Sequence, residues 1–137
     1  MNNPKNPKMG HNKKTFLEKT VEHIDITSFD SRKIIDSMDK MSFTSRDTAK
    51  ASAIFNEMLC DKNCTNFLTL AGSTSAAGCM KIYSDMIKYK MIDVVVATGA
   101  SIIDMDFFEA LGFRHYQGSQ FQDDTQLREN YIDRIYD

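Results

Sequence analysis

The chain holds three cysteines in 137 residues, Cys60, Cys64 and Cys79. An odd number at irregular spacing does not make a disulfide framework and fits the reduced thiols of a cytosolic protein. Cys60 and Cys64 could share a helix face, but no nearby histidine or third cysteine completes a metal set. His11, His23 and His115 are scattered and suggest no ligand cluster. An excess of one charge is also missing: 17 Lys and Arg face 19 Asp and Glu, for a net charge of -2. That balance leaves no basic stripe for a nucleic acid or another polyanion. No run approaches the roughly 18 apolar residues of a membrane span. The opening Met1 to Lys14 is rich in Asn, Lys and Pro and has no apolar core, so it does not read as a secretory signal. It lacks the Arg and Ser of a transit peptide as well.

What remains is 42% apolar and long enough for one small domain. Residues 1–19 read as a disordered tail and 20–137 as the domain. Thr20 to Ile26 alternates and suggests a short strand or an extended arm. Ser28 or Asp30 can cap a helix running to about Met41, with Ile34, Ile35 and Met38 at helical spacing. Phe43 to Arg46 reads as a break. A second helix then starts at Ser45 or Asp47, with Ala53, Ile54, Met58 and Leu59 on one side, and ends at Asp61-Lys62-Asn63.

Asn66 to Leu70 is a short apolar run that suits a buried strand. It leads into Ala71-Gly72-Ser73-Thr74-Ser75-Ala76-Ala77-Gly78, eight residues without a large side chain. A helix is expected from about Ser75 to Tyr89. Asp93 to Thr98 is the strongest strand, β-branched and apolar on both faces. It too ends in small residues, Gly99-Ala100-Ser101, before a helical stretch from Asp104 to Leu111 with Gly112 as its C-cap. The order is βαβα, which implies a parallel sheet with helices packed on it.

Ligands of such sheets bind at the carboxyl ends of strands. Small residues let the backbone approach a phosphate, and the following helix offers unpaired N–H groups. The two turns therefore favour a nucleotide or dinucleotide, with Ser73, Thr74 and Ser75 adding hydroxyls. Tight packing without a ligand uses the same residues, and the turn has neither a G-x-G-x-x-G pattern nor a P-loop lysine.

Four stretches, in this order, resemble the deoxyhypusine synthase family: Phe43 to Arg46, Thr65 to Gly72, Asp93 to Ala100 and Glu109 to Ser119. The closing Leu127 to Asp137 is similar to the segment from which family members continue into their second half. The likeness covers Thr20 to Asp137 and is strongest to the shorter archaeal and bacterial branch. It implies a Rossmann-like doubly wound parallel sheet, assembled as a tetramer in the cytoplasm with NAD sites between subunits. It also implies a reaction: a hydride passes from spermidine to NAD, and the aminobutyl group moves through an enzyme lysine to a lysine of translation factor 5A. Some bacterial relatives use a small amine as acceptor and make homospermidine.

Position by position, Gly72, Ser73, Thr74, Ser75 and Ala76 match the family's first NAD turn, and Thr98, Gly99 and Ala100 its second. The acidic pair that receives the polyamine in eukaryotic members is matched by Ile102-Ile103-Asp104-Met105-Asp106. Asp104 is the candidate amine ligand; residues two apart do not share a helix face, so one of Asp104 and Asp106 is expected to N-cap the helix. Family members run to more than twice this length, and the attacked lysine lies in the half not matched here. Lys81, Lys88 and Lys90 read as solvated charge, without the buried pocket that activates a nucleophilic lysine. Three readings follow: one piece of a two-chain enzyme completed by a C-terminal chain, a non-catalytic paralogue that binds NAD or a full-length partner, or an independent nucleotide-binding module.

Overall fold

The computed structural model describes residues 12–135. Residues 1–11 of the expected tail lie outside this range. Residues 12–19 carry one helical turn, α1 (Lys13–Phe16), capped by the Asn12 side chain.

An extended arm follows, then a helical hairpin. Asp30 accepts a hydrogen bond from the Arg32 N–H at 3.0 Å, at the start of α2 (Arg32–Met38). Helix α3 spans Phe43–Cys60, so Phe43 to Arg46, expected to be a break, is its first turn. The change of direction is made at Phe43 itself, which adopts φ 55 with its ring 85% exposed. A bulky residue in the left-handed region is unusual, and sequence patterning does not anticipate it. Ala49 is buried, whereas Ile54 and Leu59 stay exposed.

Strands β1 (Phe67–Leu70) and β2 (Val94–Ala97) pair in parallel, with Phe67 opposite Val94 and Leu70 opposite Ala97. At the start of the pair, the Asp93 carboxylate accepts the Asn66 N–H at 2.8 Å and the Asn66 carbonyl accepts the Asp93 N–H at 2.9 Å. A parallel pair requires a crossover, and a helix supplies it. The expected continuous helix from Ser75 is instead a π-helical turn (Ser75–Cys79) followed by α4 (Met80–Lys88). The break is at Gly78, φ 103, where an added Cβ would stand 2.9 Å from the Glu22 carbonyl oxygen of the arm. Only glycine allows that approach.

After β2 the chain turns helical at once. Thr98 is the N-cap of α5 (Gly99–Ser101), which continues through a π-helical turn (Ile102–Phe107) into α6 (Phe108–Ala110). The stretch thus begins five residues before Asp104. Neither Asp104 nor Asp106 caps it. Gly112, φ 97, closes it as expected, its N–H bonding the Glu109 carbonyl at 2.9 Å. The last helix is α7 (Asp124–Glu129), capped by the Asp123 side chain.

The architecture among the described residues is thus mixed, with a two-stranded parallel sheet and helices around it. The expectation that β2 is covered on both faces is not met. Val96 is 54% exposed and Phe67 61%, because no second layer covers those positions. Large apolar side chains stand exposed elsewhere too, among them Ile34, Ile103, Phe113 and Tyr131.

Candidate functional site

The sheet brings the two small-residue turns together. Beyond the strand ladder the Thr98 N–H bonds the Leu70 carbonyl at 3.1 Å. The Ser101 hydroxyl, fully buried, donates to the Gly72 carbonyl at 3.0 Å and lies 3.3 Å from Thr98 Oγ1. One hydroxyl therefore staples the first turn to the second. Ser101 belongs to the expected second turn, but its bond to the first turn was not expected and follows from the pairing of the strands.

Gly72 takes φ 74, and a Cβ built there meets nothing within 4 Å; the same space stands open at Gly99. Thr74, Thr98, Gly99 and Ala100 are exposed, and Ser73 is half-buried. Thr74 Oγ1 accepts the Tyr83 hydroxyl at 2.8 Å. Ser75 is fully buried, and its hydroxyl has no partner among the described residues. A buried hydroxyl left unpaired costs on the order of 1–3 kcal/mol. Of the eight expected residues, Gly72, Thr74, Thr98, Gly99 and Ala100 thus form an open shelf rather than a closed pocket, Ser73 is half-buried, and Ser75 and Ala76 are buried. A larger cleft, about 610 Å³, runs between α2 and α3 past Arg32, Asp36, Lys50 and Asn56. Its side chains are of mixed charge and it lies off the strand ends, so the shelf is the better candidate for a phosphate-bearing ligand.

Asp104 is exposed, while Met105 beside it is 2% exposed and points inward. Asp106 is half-buried, with Oδ1 buried and unpartnered among the described residues. The two carboxylates therefore occupy different environments. Lys81, expected to be solvated, pairs with Asp85 at 2.7 Å and Asp25 at 3.5 Å, and both partners hold its ammonium pKa above the ordinary lysine value.

Two of the three histidines, read as scattered, converge. His23 Nε2 lies 2.7 Å from Glu109 Oε2 and His115 Nδ1 lies 2.8 Å from Glu109 Oε1. The Glu109 side chain is 6% exposed. Burial pushes its pKa up, but the hydrogen bonds from His115 and His23 outweigh that and hold it below the ordinary 4.5. An ionised carboxylate only accepts, so both rings donate to it. No local spacing signals this cluster, since 86 residues separate His23 from Glu109.

These features define a small parallel α/β unit with two backbone shelves stapled side by side at its strand ends. The chain belongs to the deoxyhypusine synthase family, whose model matches residues 33–137. It is 67% identical over 133 residues to a deoxyhypusine synthase-like protein of Coxiella burnetii, covering 97% of this chain and 38% of that protein. A deoxyhypusine synthase-like protein of Caulobacter vibrioides is 66% identical over 131 residues, 96% of this chain and 36% of the relative. A probable deoxyhypusine synthase 2 of Methanosarcina acetivorans is 40% identical over 129 residues, 94% of this chain and 36% of the relative. The chain spans little more than a third of the length of the curated relatives it matches.

Proposed function

We propose that the chain is the N-terminal, nucleotide-binding part of a deoxyhypusine-synthase-like aminobutyl transferase, completed by residues it does not itself contain. The observation that carries this reading is the Ser101 staple to Gly72, which puts both glycine turns on one side of a parallel pair, beside the buried Ser75 hydroxyl. Gly72, Ser73, Thr74, Ser75 and Ala76, with Thr98, Gly99 and Ala100, would hold NAD. The open space at Gly72 and Gly99 fits close approach of its phosphates. When bound, NAD would supply the hydride acceptor for oxidation of spermidine. Asp104 would receive a protonated amine at the exposed face of the helix that follows the second turn.

Among the described residues no lysine sits in a burying pocket: Lys81 is engaged by two carboxylates, and the others, Lys88 and Lys90 included, are exposed. A complementary C-terminal chain or a full-length paralogue would bring it, together with the rest of a Rossmann-like doubly wound sheet in a cytoplasmic tetramer. The exposed Phe67 and Val96 and the length of the relatives support such a partner. The protein substrate would be the precursor of translation factor 5A. A second reading, a small amine as acceptor, is favoured by one observation: Asp104 and Asp106 do not form an adjacent exposed pair.

Native mass spectrometry of the chain purified from its own cells tests the proposal. A complex containing a second polypeptide that releases 1,3-diaminopropane from spermidine is the expected result. A stable 15.6 kDa monomer indifferent to any partner, or release of 1,3-diaminopropane by the chain alone, would contradict it.

A further inference from the structure

The arm ahead of α2 touches both halves of the βαβα unit, and its backbone contacts from Lys19 to Ile24 alternate between them. Backbone groups of odd-numbered residues reach the second half. The Lys19 carbonyl accepts the Gln117 N–H at 2.8 Å, and the Val21 N–H donates to the His115 carbonyl at 2.9 Å. The His23 ring then meets Glu109 at 2.7 Å. Even-numbered residues reach the first half. The Glu22 carbonyl fills the space a Cβ would need at Gly78, and the Ile24 N–H donates to the Gly78 carbonyl at 2.9 Å. Beyond the alternating stretch, the Asp25 side chain lies 3.5 Å from Lys81 on α4. An extended chain turns successive residues to opposite sides, so a single strand can lace two bodies together.

We infer that Lys19 to Asp25 is a positioning strap that fixes the separation of the two glycine turns, and that Glu109, held by His23 and His115, is its latch. The turns are stapled at the sheet by Ser101, but the helices behind them share no strand. The strap joins those helices: Gly78 follows the first turn and Glu109 lies one helical run beyond the second. The latch is the one charged group in this lacing that is almost wholly buried, and its two partners come from the arm and from the loop after α6. His23 Nδ1 is buried, and among the described residues the ring's only hydrogen bond is the one to Glu109. Removing either partner leaves a buried polar atom unpaired, which is the costly direction. Its link to nucleotide affinity rests on the proposed function; the strap itself does not.

The test is amide hydrogen exchange on the full chain in the assembly in which it purifies, comparing His23→Ala and Glu109→Gln with the unaltered protein. In His23→Ala the Val21, Ile24 and Gln117 amides should lose at least tenfold in protection, while the Thr98 amide, bonded to Leu70, keeps its own. In Glu109→Gln the loss should be smaller, because a neutral amide can accept from one ring and donate to the other. The NAD dissociation constant should rise at least fivefold in His23→Ala and less in Glu109→Gln. Unchanged protection at Val21 and Ile24 would overturn the strap, and so would an equal loss that includes Thr98, which would make Glu109 an ordinary core residue. Loosened amides with unchanged NAD affinity would overturn the positioning role. An unaltered protein that binds no NAD counts against the proposed function alone, since exchange still decides the strap.

Discussion

The two small-residue turns have nearly the same composition and different architecture. The second runs straight from β2 into helix, with Thr98 as N-cap, and spends its buried hydroxyl internally through Ser101. The first leaves β1 through Gly72 at φ 74, makes a π-helical turn, kinks at Gly78, and leaves the Ser75 hydroxyl buried without a partner among the described residues. The second turn thus carries a structural bond that the first only receives, a difference that composition alone does not show.

The sharpest way to break this comparison is to add one methyl group to each turn. Gly78→Ala places a Cβ at φ 103 and 2.9 Å from a backbone oxygen. It should destabilise by about 3 kcal/mol in urea unfolding, combining left-handed strain with overpacking. Gly99→Ala has open space and a helical position, so it should be neutral or stabilise by up to about 1 kcal/mol. Equal effects of the two would erase the distinction. The serines come next. Ser101→Ala should cost about 1–2 kcal/mol, since it removes the donor to the Gly72 carbonyl, while Ser75→Ala, which removes an unpartnered buried hydroxyl, should stabilise by about 1–3 kcal/mol.

The smallest effect at working pH lies in the latch. Glu109 has a folded pKa below its ordinary value, so its contribution is present above about pH 4.5 and is lost as pH falls through the lowered folded value. Protection of the Val21 and Ile24 amides should therefore hold from neutral pH to about 4.5 and decline only in stronger acid, a decline absent in Glu109→Gln. A decline beginning near neutrality would place the linkage on another group.

Much of the βαβα order is legible in the residues. The β-branched run at Val94 to Val96 and the apolar run at Phe67 to Leu70 are both strands, and Gly112 ends its helix as its position suggests. The eight expected residues stand at the carboxyl ends of those strands. What local pattern could not carry is set by contacts between distant segments. Gly78 reads as the last small residue of a turn until the arm is seen pressing on it. His115 reaches Glu109 from six residues along the chain, but His23 meets it only because the arm folds back. The exposure of Val96 was missed for the opposite reason: an apolar strand predicts a covering layer, which the described residues do not supply.

The central claim, that the stapled turns hold a dinucleotide, is tested most directly by calorimetric titration of NAD into the purified assembly, with Gly99→Leu beside the unaltered protein. Position 99 has room for a side chain and no positive φ, so the variant should melt at the same temperature or slightly higher while its NAD binding is lost. The same affinity in both proteins would contradict the account.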